Sequence, residues 1–193
     1  MIGELPQALE VGGVMYPINS DYRYALLIFE AFNDPELEIE DKAAACISCL
    51  YCQPESIPPE LIEEAYEQAV WFLDGGDIPH GTSKVKTYDW KQDEALIFSA
   101  VNNVAKREVR EPGVYTHWWT FLGYFMEIGE GILSTVIHIR KKQAKGKPLA
   151  KHELEFLSEN RNLVVLRQRM SAEEQAEYEA EEAFVNSLFK KGG

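Results

Sequence analysis

The chain of 193 residues is 46 % hydrophobic and 11 % aromatic, and it carries a formal net charge of −13 at pH 7. This length and composition are sufficient to bury the core of one compact domain. They exclude a membrane-spanning protein, because no apolar run approaches the ~20 residues that cross a bilayer, and residues 1–9 form no secretory signal. We therefore expect a soluble protein that is not secreted and has no membrane partner.

The negative charge is concentrated in the N-terminal half of the chain. Residues 1–83 contain 16 acidic residues and only two basic ones, whereas residues 84–193 contain 16 acidic and 17 basic residues. An acidic excess of this size disfavours nucleic acid as a partner, because a phosphate backbone is bound by Lys and Arg. It favours either a basic or mixed-charge protein partner or a surface that only keeps the protein soluble.

The first residues predict a β-hairpin followed by a helix. Apolar segments at residues 8–11 and 14–18 flank Gly12 and Gly13, which both tolerate the positive φ angles of a tight turn. Asn19 or Ser20 is then placed to cap a helix over residues 21–32. The apolar run at residues 26–29 indicates that this helix is central.

Two amphipathic helices follow, and a long loop ends this part of the chain. The second helix is predicted over residues 39–51, and the third begins at the prolines of positions 58–59 and ends at Gly75. The third helix has a polar face formed by Glu60, Glu63, Glu64 and Glu67. Residues 74–87 are rich in glycine and have no apolar period, so they form the longest predicted loop and a possible internal boundary.

Five further helices are predicted, over residues 89–106, 115–128, 132–144, 152–168 and 172–189. Ser171 and Glu174 form the capping-box signature of the last helix. The predicted fold is mainly α, a helical bundle of about seven to eight helices with a small N-terminal β-hairpin. We expect a single helical domain over residues 1–170 and an appended charged C-terminal helix over residues 171–193.

The adjacent tryptophans lie on a strongly apolar segment. At helical spacing the segment has one apolar face, which is most simply explained as core. That face comprises Val114, Trp118, Phe121, Leu122 and Phe125, with Trp119 at its edge.

The sequence contains no pattern typical of a catalytic, cofactor or metal site. Cys46, Cys49 and Cys52 have the spacing of iron–sulfur ligands, but a fourth cysteine is missing and their surroundings predict a helix with buried thiols. The four histidines do not form a pair that would place two ligands on one helix face. Phosphate-binding loops and nucleophile motifs are also absent. We therefore expect a binding protein without a cofactor rather than an enzyme.

One basic segment interrupts the acidic chain. Residues 138–151 contain six Lys and Arg and no acidic residue. The segment lacks the interleaved aromatic residues of a nucleic-acid site. It indicates a solvated helix end followed by a linker or, alternatively, a contact with an acidic surface of this chain or of another copy.

Several short motifs together resemble a known family. The first runs from Leu5-Pro6 through Val11-x-Gly13 to Tyr16-Pro17-Ile18-Asn19-x-Asp21-Tyr22-Arg23. The others are Asp93-Glu94-x-x-Ile97-Phe98-x-Ala100, Tyr115-x-His117-Trp118-Trp119-x-Phe121 and Ile137-x-Ile139-Arg140. This pattern resembles the bacteriophage gene-product-fifteen family, small proteins encoded beside the tape-measure gene in the tail-gene cluster of phages and prophages of Gram-positive bacteria.

The resemblance implies a tail assembly chaperone in the host cell cytoplasm that is absent from the mature virion. Its partners would be the tape-measure protein and the tail-tube protein, and a homo-oligomer is compatible with the sequence. Alternatives are a minor structural tail protein retained in the virion and an acidic regulatory protein that binds a host protein. The chaperone would cover apolar helix stripes of the tape-measure protein with an apolar groove.

The aromatic segment supplies the candidate residues for that groove, because aromatic side chains are the usual anchors of interfaces. The alternative is that all four aromatic residues belong to the core. The candidates are Trp118, Trp119, Phe121 and Phe125, with Glu60, Glu63, Glu64 and Glu67 as an acidic rim.

Overall fold

A computed structural model describes residues 3–76, 85–167 and 169–176. Within these ranges, two strands form an antiparallel hairpin, eight α-helices follow, and residues 172–176 are also helical. The strands are β1 (Ala8–Val11) and β2 (Val14–Pro17). The helices are α1 (Tyr22–Phe32), α2 (Ile39–Leu50), α3 (Ile62–Leu73), α4 (Glu94–Ala105), α5 (Trp118–Met126), α6 (Ile132–Ala144), α7 (Lys151–Glu159) and α8 (Arg161–Val164). The predicted mainly α fold with an N-terminal hairpin is confirmed.

The hairpin turn has the geometry that its two glycines allow. Gly12 and Gly13 have φ angles of 57° and 75°, as a type I′ turn requires, and the turn matches the right-handed twist of the strands. The Gly12 N–H donates to Oε1 of Glu64 at 2.8 Å. Because β1 also packs on α3, this bond fixes the tip of the hairpin to the helix that supports it.

Several predicted helices differ from the observed ones. The helix predicted from residues 58–59 is α-helical only from Ile62, after a 3-10 turn at Pro59–Leu61, and the one predicted over residues 89–106 begins at Glu94. The segment predicted as one helix over residues 152–168 is divided at Asn160, whose side chain donates to Phe156 O at 3.0 Å and ends α7. The helix predicted from residue 115 begins three residues later. His117 occupies the position before the first turn and accepts the Trp119 N–H on its Nδ1 at 3.0 Å, so Val114 lies outside α5.

The larger core cluster contains residues from both sides of the predicted loop at 74–87. It joins Leu9 of the hairpin, Phe72 of α3 and Trp118 of α5. A smaller cluster of Val136, Ile139 and Val164 holds α6 against α8. The proposed boundaries at residues 74–87 and 170 stay predictions, and the predicted C-terminal helix lies outside the described residues beyond position 176.

Candidate protein-binding surface

The adjacent indoles of α5 form hydrogen bonds with backbone carbonyl groups at the C-terminal end of α3. Nε1 of Trp118 donates to Leu73 O and Nε1 of Trp119 donates to Phe72 O, both at 2.8 Å. The last carbonyl groups of a helix have no partner within it. The Trp118 indole therefore pairs the Leu73 carbonyl at the end of α3. The Trp119 indole adds a second donor to the Phe72 carbonyl, which also accepts the Gly75 N–H at 3.1 Å, and the two bonds fix α5 across that end.

Two of the four predicted groove aromatics lie in the core. Trp118 is 1 % exposed and Phe121 is 0 % exposed, and their rings stack on each other at 5.9 Å. Phe121 also stacks on Tyr22 of α1 at 4.5 Å. Both side chains are enclosed in the core, so in this structure they line no open groove, and their part in binding a partner stays a prediction.

The other two aromatics are partly exposed but lie on different parts of the surface. Trp119 packs edge to face on Trp71 with ring centroids 5.3 Å apart. Phe125 contacts Tyr88 and Trp90, in each case with centroids 5.0 Å apart. Because the two residues are six positions apart on α5, their side chains point in directions about 120° apart around the helix axis. They therefore do not share one groove.

The acidic rim is also separated from the indoles. Glu60, Glu63 and Glu67 are exposed and Glu64 is half-buried. At ~1.5 Å per residue along α3, Glu63 lies ~14 Å and Glu67 ~8 Å from the Phe72 carbonyl that Trp119 binds, and Glu60 lies outside α3. The structure thus does not bring the eight predicted residues together.

The N-terminal motif and the aromatic motif meet in a network that serves folding. Asp21 accepts the Arg23 N–H as the cap of α1 and accepts the Thr116 N–H on its other oxygen, both at 3.0 Å. The backbones of His117 and Asp21 form an isolated antiparallel β-bridge. Nε2 of the His117 ring donates to Pro6 O at 2.9 Å. Burial lowers the pKa of His117 below its ordinary value, which favours the neutral ring that both of its hydrogen bonds require.

Arg140, part of the predicted basic segment, is a buried structural residue. Its guanidinium binds both carboxylate oxygens of Asp93 at 2.6 and 2.9 Å, and the two side chains are 4 % and 2 % exposed. It also donates to Val164 O at 2.7 Å and Leu163 O at 2.6 Å. Arg140 therefore joins α6 to the start of α4 and to α8. The sequence did not predict this role, because the neighbouring lysines made the segment resemble a solvated face.

The three cysteines differ in their environments. Cys46 is buried, Cys49 is half-buried, and Cys52 is exposed beyond the end of α2. Burial raises the pKa of the Cys46 thiol to about 12. Across residues 3–76, 85–167 and 169–176, His, Cys, Asp and Glu form no group of three that could hold a metal ion. In the same ranges, helices are too short or too polar to cross a membrane.

A groove that the sequence did not predict lies between α1 and α4. Both helices pack on α5. The surface between α1 and α4 is apolar and aromatic in the middle and charged at both ends. Among the apolar side chains that line this groove, Leu27 is the most exposed, at 58 %. The groove is lined by Tyr22, Arg23, Leu26, Leu27, Glu30, Trp90, Lys91, Glu94, Phe98 and Arg110.

The two ends of the groove have different charge arrangements. At one end, Arg23 lies 4.8 Å from the centre of the Tyr22 ring and Arg110 lies 5.0 Å from that of Phe98. Two turns further along α1, Glu30 accepts from Nζ of Lys91 at 2.6 Å. We call this surface the α1–α4 groove.

Trp90 connects the groove to the aromatic cluster. Its ring centroid lies 5.9 Å from that of Trp118, 6.2 Å from that of Phe121 and 5.0 Å from that of Phe125. The aromatic segment singled out in the sequence therefore supports the groove from beneath instead of lining it.

The comparisons with known proteins agree with the motifs. A family model described as Bacteriophage Gp15 protein matches residues 1–166, and the chain belongs to this family. It is accordingly a phage-related protein. No curated protein and no solved structure matches the chain.

Proposed function

We propose that the protein is a phage tail assembly chaperone that binds the tape-measure protein in the host cytoplasm and assists assembly of the tail tube. The family supports a phage-related role. The observation that carries the finer proposal is the α1–α4 groove. An exposed apolar groove with charged ends is the kind of surface that holds an amphipathic helix.

The spacing of the helices favours a helical occupant. Because α1 and α4 both rest on α5, a third helix placed between them would have neighbours on both sides and below. Leu27 would contribute one apolar contact and the partly exposed Trp90 a second, and aromatic residues commonly carry much of the binding energy of an interface.

The acidic surface gives the complex a second property. Exposed carboxylates on α2 and α3, among them Glu40, Glu63 and Glu67, would face solvent while the groove is occupied. Negative charge of this kind opposes aggregation. A long apolar tape-measure protein covered by many such copies would stay dispersed until tube subunits displace them.

The test is co-expression with the tape-measure protein encoded by the same phage, followed by size-exclusion chromatography. Leu27→Glu should abolish the joint soluble peak, because it places a carboxylate in the apolar groove. Leu154→Glu is the matched control, since Leu154 is 52 % exposed on α7, away from the groove. Equal recovery of both variants with the tape-measure protein would contradict the proposal.

Mass spectrometry of purified particles tests the chaperone role separately from binding. A chaperone leaves the assembled tail, so the protein should be absent from mature particles. Its retention at a fixed copy number would instead indicate a minor structural tail protein. Binding that is lost at raised salt and directed to a host protein would indicate an acidic regulatory protein.

A further inference from the structure

The chain continues beyond α8 and runs along the body of the protein. The Gln92 side chain holds the start of this segment, donating to Val165 O and accepting from the Arg167 N–H, both at 2.8 Å. We call residues 165–167 and 169–176 the strap.

Further along the strap, a backbone contact reaches the turn between α1 and α2. The Ala172 N–H donates to Oε1 of Glu36. The Ser171 N–H also donates to Oε2 of Glu174 at 2.8 Å, and Ser171 Oγ accepts the Glu174 N–H at 3.2 Å, as the capping box of a helix requires. The strap therefore follows a defined path over the body.

Arg169 fastens the strap to two carboxylates. Its guanidinium binds Asp89 Oδ1 at 3.0 Å and Glu30 Oε1 at 3.1 Å. Burial raises the pKa of Glu30, but the hydrogen bonds from Lys91 and Arg169 outweigh it, so this pKa lies below its ordinary value. The strap is thus held by these ion pairs as well as by the backbone hydrogen bonds to Gln92 and Glu36.

The attachment point is one end of the α1–α4 groove. Glu30 and Lys91 both line the groove, and Arg169 shares the Glu30 carboxylate with Lys91. The family match ends at residue 166, so nearly all of the strap lies outside the part of the chain that the family model describes. A segment that lies mostly outside the matched residues therefore contacts the groove directly.

We infer that the strap is an intramolecular competitor of the helix that the groove binds, an inference that rests on the proposed function. Displacing Arg169 removes one of the two cations that the carboxylates of Glu30 and Asp89 each bind, since Glu30 keeps Lys91 and Asp89 keeps Lys86. This loss is smaller when the incoming chain supplies a cation of its own. The partner is accordingly an amphipathic helix with a Lys or Arg at the edge of its apolar stripe. Arg169 occupies the position of that residue while the groove is empty.

A molecule whose strap is attached to the end of the groove cannot bind the partner helix there. The apparent affinity for the partner therefore falls as the fraction of molecules with an attached strap rises. Weakening the Arg169 clamp should therefore increase the affinity for the tape-measure protein. We expect Arg169→Gln to bind about three to ten times more tightly, since an apparent dissociation constant scales inversely with the fraction of competent molecules.

The experiment uses the full chain with Arg169→Gln, and with Arg167→Gln as the matched control. Arg167 holds the strap through its backbone N–H, which the control retains. Amide hydrogen exchange on the isolated proteins should show faster exchange in the strap of Arg169→Gln only, with α1 and α4 unchanged. Co-expression of each variant together with the wild type and a limiting amount of the tape-measure protein then compares the affinities by the share of each protein in the complex.

Faster strap exchange together with tighter binding, both confined to Arg169→Gln, would support the inference. A released strap with wild-type affinity, or a strap that exchanges at the wild-type rate, would overturn the inference and leave the proposed function intact. If wild type and both variants all fail to bind the tape-measure protein, the proposed function fails and the competitor role fails with it.

Discussion

At the scale of single residues, the adjacent tryptophans show how one pattern can have two structural uses. Trp118 is buried whereas Trp119 remains partly exposed, yet both N–H groups bind carbonyl oxygens at the end of α3. The helical spacing predicted an apolar face, and Trp118, Phe121, Leu122 and Phe125 do lie in or against the core, but Val114, predicted on the same face, lies outside α5. The spacing could not reveal the hydrogen bonds, because these depend on where α3 ends in space.

Trp118→Phe isolates the hydrogen bond of the buried indole. We expect a loss of about 1–3 kcal/mol in the free energy of unfolding, because a buried carbonyl group of Leu73 loses its donor. Urea denaturation followed by circular dichroism measures the change. Trp90→Phe is the control, since it makes a similar reduction in ring size where the described residues show no hydrogen bond to the indole. Equal losses in both variants would contradict this role of the indole N–H.

At the scale of secondary-structure elements, the sequence predicted the positions of most helices within a few residues. The hairpin and α6 have the expected bounds almost unchanged, because their turns and glycines are strong local signals. The division between α7 and α8 was missed. Their apolar period continues past Asn160, where the backbone leaves the helical conformation with φ −124° and ψ 35°.

The buried ion pair between α4 and α6 was missed for a related reason. Arg140 lies in a basic run and Asp93 in a polar segment, so neither position shows by itself that it is buried. Their pairing depends on the packing of helices that are distant in sequence. The exposed apolar groove likewise arises from the spacing of α1 and α4, which no local pattern specifies.

Arg140→Met should destabilise the protein by about 3–5 kcal/mol, because it leaves the Asp93 carboxylate buried without its partner. The double variant Arg140→Met with Asp93→Asn should recover part of the loss, since it removes the unpaired charge and keeps an oxygen for the Asp89 N–H, which Asp93 Oδ2 accepts at 2.9 Å. Thermal and urea unfolding of both variants test this expectation. A double variant less stable than the single one would show that the ion pair is not the source of the loss.

At the scale of the whole molecule, the charges and the apolar surface are arranged in a way that suits a chaperone. Most of the negative charge comes from residues 1–83, and exposed carboxylates lie there on α2 and α3. The groove between α1 and α4 is lined by charges of both signs. The strap contacts one end of that groove through Arg169. We therefore expect binding of the tape-measure protein to depend on apolar contact with the groove. The ion pairs of Arg169 should oppose that binding.

The groove can be tested most directly by photo-crosslinking during co-expression with the tape-measure protein. A photoreactive phenylalanine analogue is placed at position 27 in one protein and at position 154 in a second. Both positions are exposed in the isolated chain, so only occupation of the groove distinguishes them. We predict a crosslink to the tape-measure protein from position 27 and none from position 154. Crosslinks from position 154 alone, or from neither position in a complex that still co-purifies, would contradict the account.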